Sequence, residues 1–188
     1  MLLICVTHAE ARNTKAEGFP ESFRALTERG RGHVKQAAVR FLSILPTVMP
    51  NSSSENIAIG KIVSSPLARC VETAIVFADV IRARTRTSEI YVSDHLKEKE
   101  TKEERLAGAD LESAAKEHLS DIILLATHGD LAGALPPSAK LASPHDQGWF
   151  KGGPAWTLIE YKKDDDWNNA RVLYCEILSD GGWNILIK

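Results

Sequence analysis

Two uninterrupted apolar runs, Leu2 to Val6 (LLICV) and Ile122 to Ala126 (IILLA), do most to limit what this chain can become. Successive residues of a strand point to opposite sides, so five apolar residues in a row leave no wet face. Such strands lie between two covering layers, the arrangement typical of parallel sheets with helices on both sides. The intervening segments supply the helices. Val34, Ala37, Ala38, Phe41, Leu42 and Leu45 recur with the three-four spacing of one buried helical face, and Pro46 and Pro50 are expected to close that helix.

A second strand is expected over Ile57 to Val63, running into Ser64-Ser65-Pro66. Ser65 as N-cap with Pro66 in the first turn predicts a helix carrying Val71, Ala74, Ile75, Ala78 and Ile81 on one side. Ile90 to Val92 reads as a short strand, and a charged helix is expected from about Thr101 to His118. In the tail, Trp156 to Tyr161 and Val172 to Leu178 alternate in polarity around the turn-rich stretch from Asp164 to Asn169, a hairpin at or beyond the sheet edge. A chain of 188 residues suits one domain with a real core. The expected architecture is therefore a single α/β domain over 1–188, a three-layer sandwich with a mostly parallel central sheet and helices on both faces.

Charge and cysteine usage narrow the partners. With 23 basic and 25 acidic residues the formal net charge is −2, which offers no general attraction to nucleic acid or to an anionic membrane. No apolar run approaches the roughly 18 residues of a membrane span, and the N-terminal residues lack the basic leader of a signal peptide. Cys5, Cys70 and Cys175 are odd in number and widely spaced, which points to buried thiols and a cytoplasmic address.

Ligands of open α/β sheets bind at the carboxyl ends of the strands. Three such ends carry Thr7-His8-Ala9-Glu10, Ser64-Ser65-Pro66-Leu67-Ala68-Arg69 and Thr127-His128-Gly129-Asp130. Each residue alone has an ordinary explanation, a loop histidine or a surface arginine. Two imidazoles and a guanidinium converging on one edge instead suggest phosphoryl chemistry through a phospho-histidine. The six histidines show no metal-site spacing, and Gly30-Arg31-Gly32 lacks the lysine of a nucleotide loop, so neither a metal nor another cofactor is expected.

These segments resemble the histidine phosphatase superfamily, the phosphoglycerate mutase-like proteins. The likeness rests on Thr7-His8-Ala9 in place of an Arg-His-Gly triplet and on Leu26-Thr27-Glu28-Arg29-Gly30 for Leu-Thr-x-x-Gly. It continues with Ser64, Ser65, Pro66, Leu67, Arg69, Thr73 and Ala74 for Ser-Ser-Pro-Leu-x-Arg-x-x-x-Thr-Ala, and with Thr127-His128-Gly129 for a Ser/Thr-His-Gly triplet. The resemblance implies that His8 is the nucleophile and that Arg69 and His128 hold the phosphoryl oxygens, with Thr7, Thr127 and Gly129 lining the site. It implies Glu98, in Leu96-Lys97-Glu98, as the acid for the leaving oxygen, with Glu100 and Asp130 as rivals. The expected substrate is a phosphorylated small molecule or phosphoprotein.

The departures from the family pattern are Thr7, in place of the arginine, and Ala9, in place of the glycine. One preorganised cation is missing beside the nucleophile, and such a loss can cost a factor of about 10² to 10³ in rate. Arg12, a few residues downstream, is expected to swing in as its replacement. The competing reading is a pseudo-phosphatase that keeps a weakened anion pocket for binding or regulation. Specificity is expected to lie in loops 9–25 and 138–154. Trp149, Phe150 and Trp156, in or near the second of these loops, serve either as packing or as pocket lining.

Overall fold

The computed structural model describes residues 1–13, 18–48, 59–82, 89–97, 107–118, 120–129, 134–137, 154–162, 165–179 and 182–187. Seven strands form one sheet: β1 (Leu2–Thr7), β2 (Lys61–Ser64), β3 (Ile90–Val92), β4 (Ile122–Thr127), β5 (Ala155–Glu160), β6 (Arg171–Ser179) and β7 (Gly182–Ile187). Their order is β3-β2-β4-β1-β5-β6-β7. The first four strands run parallel, as the apolar runs require.

The other half of the sheet is antiparallel. The tail hairpin, expected at or beyond the edge of the parallel sheet, extends it there: β5 pairs with β1, the edge strand of the parallel half, and β7 adds a third strand that the alternation pattern did not announce. β5 enters because β1 offers it a full ladder, Val6 against Trp156 through Leu2 against Glu160.

Three helices cover the sheet: α1 (Glu28–Val48), α2 (Ala68–Arg82) and α3 (Gly108–Glu117). Strand alternation sorts the core in two. Leu2, Ile4 and Val6 face α1 and α2 together with Phe41, Phe77 and Trp156, whereas Leu3 and Cys5 face α3 with Leu111, Ala114 and Ala115. Trp156 is packing: it stacks on Tyr174, with ring centroids 4.8 Å apart. The helical face of α2 is carried by Phe77 together with Ala74, Ala78 and Ile81, while Ile75 lies exposed. A buried carboxylate, Glu176 on β6, is paired with Arg40 of α1, which ties the antiparallel half to the helical layer.

Helix ends differ from expectation in two places. α1 runs through Pro46 to Val48, and the helix ends within the turn that the proline begins. α2 begins at Ala68, two residues late, since the first intrahelical bonds go to the Leu67 carbonyl. Of the expected second strand only residues 57–58, and of the expected charged helix only residues 101–106, fall outside the described residues; the strand is found as Lys61–Ser64 and the helix as Gly108–Glu117. All three cysteines are buried thiols. Among the described residues no helix is long and apolar enough to cross a membrane.

The start of α1 explains Leu-Thr-x-x-Gly physically. Leu26 is buried, and Thr27 caps the helix by accepting the Gly30 N–H at 2.9 Å. Gly30 lies beneath the Glu10 carbonyl, and a Cβ there would stand 2.2 Å from that oxygen. Gly30→Ala is therefore expected to destabilise the fold by about 1–3 kcal/mol, read from urea denaturation. Unchanged stability would mean that the loop after β1 does not press on this helix.

Candidate functional site

The site is assembled by strand register. β1 and β4 pair with Thr7 level with Thr127, and β2 pairs with β4 so that Ser64 lies level with Ala126. The next residue of each strand, His8, His128 and Ser65, therefore leaves the sheet at one edge. The ladder continues one step beyond the strands: the His8 N–H donates to the Thr127 carbonyl at 3.0 Å and the Ser65 N–H to the Ala126 carbonyl at 2.9 Å. The rings of His8 and His128 meet edge to face, with centroids 5.4 Å apart.

Arg69 enters from the first turn of α2. Its guanidinium is buried, and its Nε donates to His8 Nε2 at 3.2 Å. The other ring nitrogen of His8, Nδ1, donates to the Ala9 carbonyl at 2.8 Å. That pairing fixes the tautomer. The proton sits on Nδ1, and the Nε2 lone pair is left to accept from Arg69. His128 is held by the Ser65 hydroxyl, 2.8 Å from its Nε2, and by Cys70 Sγ at 3.5 Å from the same nitrogen. Thr73 Oγ1 donates to the Arg69 carbonyl at 2.8 Å, which anchors the turn that presents the arginine.

No protein-family model matches the chain, and no curated protein matches it in sequence. Solved structures do match in three dimensions. The protein histidine phosphatase SixA complexed with tungstate superposes with a TM-score of 0.59 at 18% identity, covering 93% of this chain and 96% of that one. A SixA protein from Agrobacterium tumefaciens reaches 0.62 at 15% identity, covering 95% and 97%. The mycobacterial glucosyl-3-phosphoglycerate phosphatase Rv2419c reaches 0.51 at 14% identity, covering 99% and 97%. This is the histidine phosphatase fold.

Within the histidine phosphatase fold, the two histidines and Arg69 named from sequence come together as expected. The others divide. Thr7 is 2% exposed and its hydroxyl is occupied by backbone: it accepts the Ala155 N–H at 2.8 Å and lies 3.5 Å from the Ala155 carbonyl. Thr127 is likewise turned inward, its Oγ1 3.4 Å from the Leu96 carbonyl, and it serves the site through its own carbonyl. Gly129 follows His128 at the same edge and is half-buried. The Arg12 side chain is exposed, and among the described residues its hydrogen bonds are main-chain ones: its N–H donates to the Ala25 carbonyl, and its carbonyl accepts from Arg24. Glu98, Glu100, Asp130, Trp149 and Phe150 lie outside the described residues.

Sequence reasoning passed over four residues of this neighbourhood. Ser65 was read as a cap and Cys70 as core, but both hold His128. Glu21 and Arg24 sit on a loop without regular periodicity, and nothing in their spacing connects them with His8. The structure brings Glu21 Oε1 to 3.5 Å from Arg69 Nη1 and 2.5 Å from Arg24 Nη1.

Both imidazoles are held neutral. Desolvation by burial is the main cause for each, and it lowers the pKa of His8 to about 4 and that of His128 to about 3. The Ala9 hydrogen bond opposes the shift at His8, and the charges of Arg69 and Arg24 reinforce it. At His128 the neighbouring His8 and Arg69 add to burial. The unfolded chain takes up these protons near the ordinary value of 6.5, whereas the folded chain does so only near 4 and below. Stability is thus expected to be unaffected by this pair above pH 6.5 and to fall as the pH drops from 6.5 toward 4. His8→Gln is expected to flatten that slope in thermal denaturation series. An unaltered slope would mean that His8 protonates in the native state as an exposed histidine does.

Proposed function

We propose that this chain hydrolyses phosphate monoesters through a phospho-histidine formed on His8. The observation that carries the reading is the fixed tautomer, with Nδ1–H donating to the Ala9 carbonyl and the basic Nε2 facing Arg69. In the first step Nε2 attacks phosphorus in line, the Nε2–P bond forms, and the bond to the leaving oxygen breaks. The Ala9 carbonyl, already bonded to Nδ1–H, stabilises the positive charge that develops on the ring.

Arg69 and His128 receive the phosphoryl oxygens, and they act at full strength because the pocket is shielded from water. Glu98 is assigned the proton for the leaving oxygen, with Glu100 and Asp130 as the alternatives. Water then attacks phosphorus, breaks the Nε2–P bond and regenerates His8 with release of inorganic phosphate.

The SixA structure is complexed with tungstate, an oxyanion, which supports reading this chain as one that binds an oxyanion. The fold itself does not choose the ester, since its relatives include a protein histidine phosphatase and a glucosyl-3-phosphoglycerate phosphatase. A second reading is favoured by one observation. The Thr7 hydroxyl is committed to Ala155, so nothing at that position donates to a phosphoryl group. That supports an anion-binding protein with little or no turnover.

Hydrolysis of a generic aryl phosphate separates the two readings. His8→Ala is expected to lower kcat/KM by about 10³ or more, and Arg69→Ala by about 10² to 10³. Hydrolysis that persists in His8→Ala would overturn the phospho-histidine route, and absence of turnover in the wild type would leave the binding protein. Because burial keeps His8 unprotonated down to about pH 4, protonation of the free enzyme is not expected to limit kcat/KM between pH 5 and 7 once substrate ionisation is allowed for. A loss of kcat/KM with an enzyme midpoint near 6.5 would contradict this.

A further inference from the structure

The histidine phosphatase site of this chain has Thr7 where the family pattern has an arginine, and the structure supplies a different cation. Arg24 follows the 3-10 turn Glu21–Phe23 in the loop between β1 and α1. That loop is stitched into place. Ala11 bridges Leu26, the Arg12 N–H donates to the Ala25 carbonyl at 2.9 Å, and the Leu26 N–H donates to Glu72 of α2 at 2.6 Å. Arg24 Nε donates to the Arg12 carbonyl at 2.8 Å. The guanidinium is thereby aimed by backbone rather than left to wander, and a preorganised donor is what oxyanion stabilisation requires.

Its target at rest is Glu21. A single carboxylate oxygen, Oε1, receives Arg24 Nη1 at 2.5 Å and lies 3.5 Å from Arg69 Nη1, while Arg69 also donates to the Glu21 carbonyl at 3.4 Å. Two guanidiniums therefore converge on one oxygen beside the nucleophile. Arg24 also stands close enough to His8 for its charge to act on that ring, as the charge of Glu21 does. Glu21 belongs to a surface turn, and 44% of its side chain is exposed, so water can receive the carboxylate if it swings outward.

We propose that Arg24 is the second cation of the phosphoryl site, and that substrate binds by displacing the Glu21 carboxylate from between Arg24 and Arg69. This deepens the phosphatase reading and rests on it. The charges balance. At rest Glu21 offsets one of the two guanidiniums, and the two histidines are neutral. With Glu21 displaced, two positive charges face a phosphate monoester that is close to doubly negative. Arg12 contributes its carbonyl, which aims Arg24, and its side chain has no part. Glu21 sets the anion affinity as an internal competitor that substrate must outbid.

Orthophosphate binding to the full chain, measured by calorimetry at neutral pH, tests the proposal apart from turnover. Arg24→Ala is expected to weaken binding by about tenfold or more, and Arg24→Lys, which keeps the charge without the fork, by less. Glu21→Gln is expected to tighten it about threefold or more by removing the competing charge. Arg171→Ala, which removes a surface cation paired with Glu160 at the far end of the sheet, serves as the charge control and is expected to change nothing.

Three results would overturn the proposal: Arg24→Ala binding within about twofold of wild type, Glu21→Gln weakening the affinity, or Arg12→Ala matching the loss in Arg24→Ala while the melting temperature holds. Aryl phosphate turnover of the wild type and His8→Ala, run alongside, reports on the phosphatase reading by itself. Orthophosphate binding that follows Arg24 without any His8-dependent turnover overturns catalysis and leaves the anion site standing.

Discussion

The backbone hydrogen bonds between β1 and β4 hold Thr7 level with Thr127, and the two histidines that follow leave the sheet side by side. Everything chemical in the molecule is referred to that register. A slip of one residue would turn one imidazole to the opposite face of the sheet, because side chains alternate along a strand. The register is secured by burial on both faces. Leu3 and Cys5 lock into the α3 layer while Leu2, Ile4 and Val6 lock into the α1–α2 layer, and β4 does the same with Ile123 and Leu125 against Leu124 and Ala126. The packing that stabilises the sheet is thus the same packing that sets the distance between the rings.

Burial then determines the protonation states. An imidazole withdrawn from water loses its cationic form, and beside a guanidinium it loses it further. The outcome is a neutral His8 with its proton on Nδ1, toward the Ala9 carbonyl, and its Nε2 toward Arg69. The positive charge at this edge is left to the arginines. The proposed reaction divides its work accordingly, with nucleophilicity in the imidazole and charge neutralisation in the guanidiniums. Thr7 changes only the second of these. Its hydroxyl belongs to the β1–β5 junction, so the side chain reinforces the sheet at the point where the antiparallel half begins.

Legibility in the sequence followed the physics of each element. β1 and β4 were readable because a doubly buried strand has few alternatives once five apolar residues stand in a row. The Leu26-Thr27-x-x-Gly30 segment was legible only through the family resemblance, and the structure supplied its reasons, a cap at Thr27 and a close backbone approach at Gly30. Which edge β5 would join was not readable. Alternating polarity marks a strand but carries no address, and the parallel half has two edges, β3 and β1. The role of Cys70 was hidden for a related reason, since a small buried thiol looks the same whether it touches leucine or His128.

The amino-acid sequence by itself determined that this chain builds an α/β sheet and that His8, Arg69 and His128 sit at strand ends or the helix turn beside them. Those are properties of short segments, where spacing and side-chain type leave little choice. Only the tertiary structure decided which strands are neighbours, which nitrogen of His8 holds the proton, and that a loop arginine and a loop glutamate converge on the same edge. The reason is that these outcomes depend on contacts between residues far apart in the chain, such as Arg24 with Arg12 and Glu21 with Arg69. Such contacts leave no periodicity behind, and they exist once the sheet and its helices have closed around them.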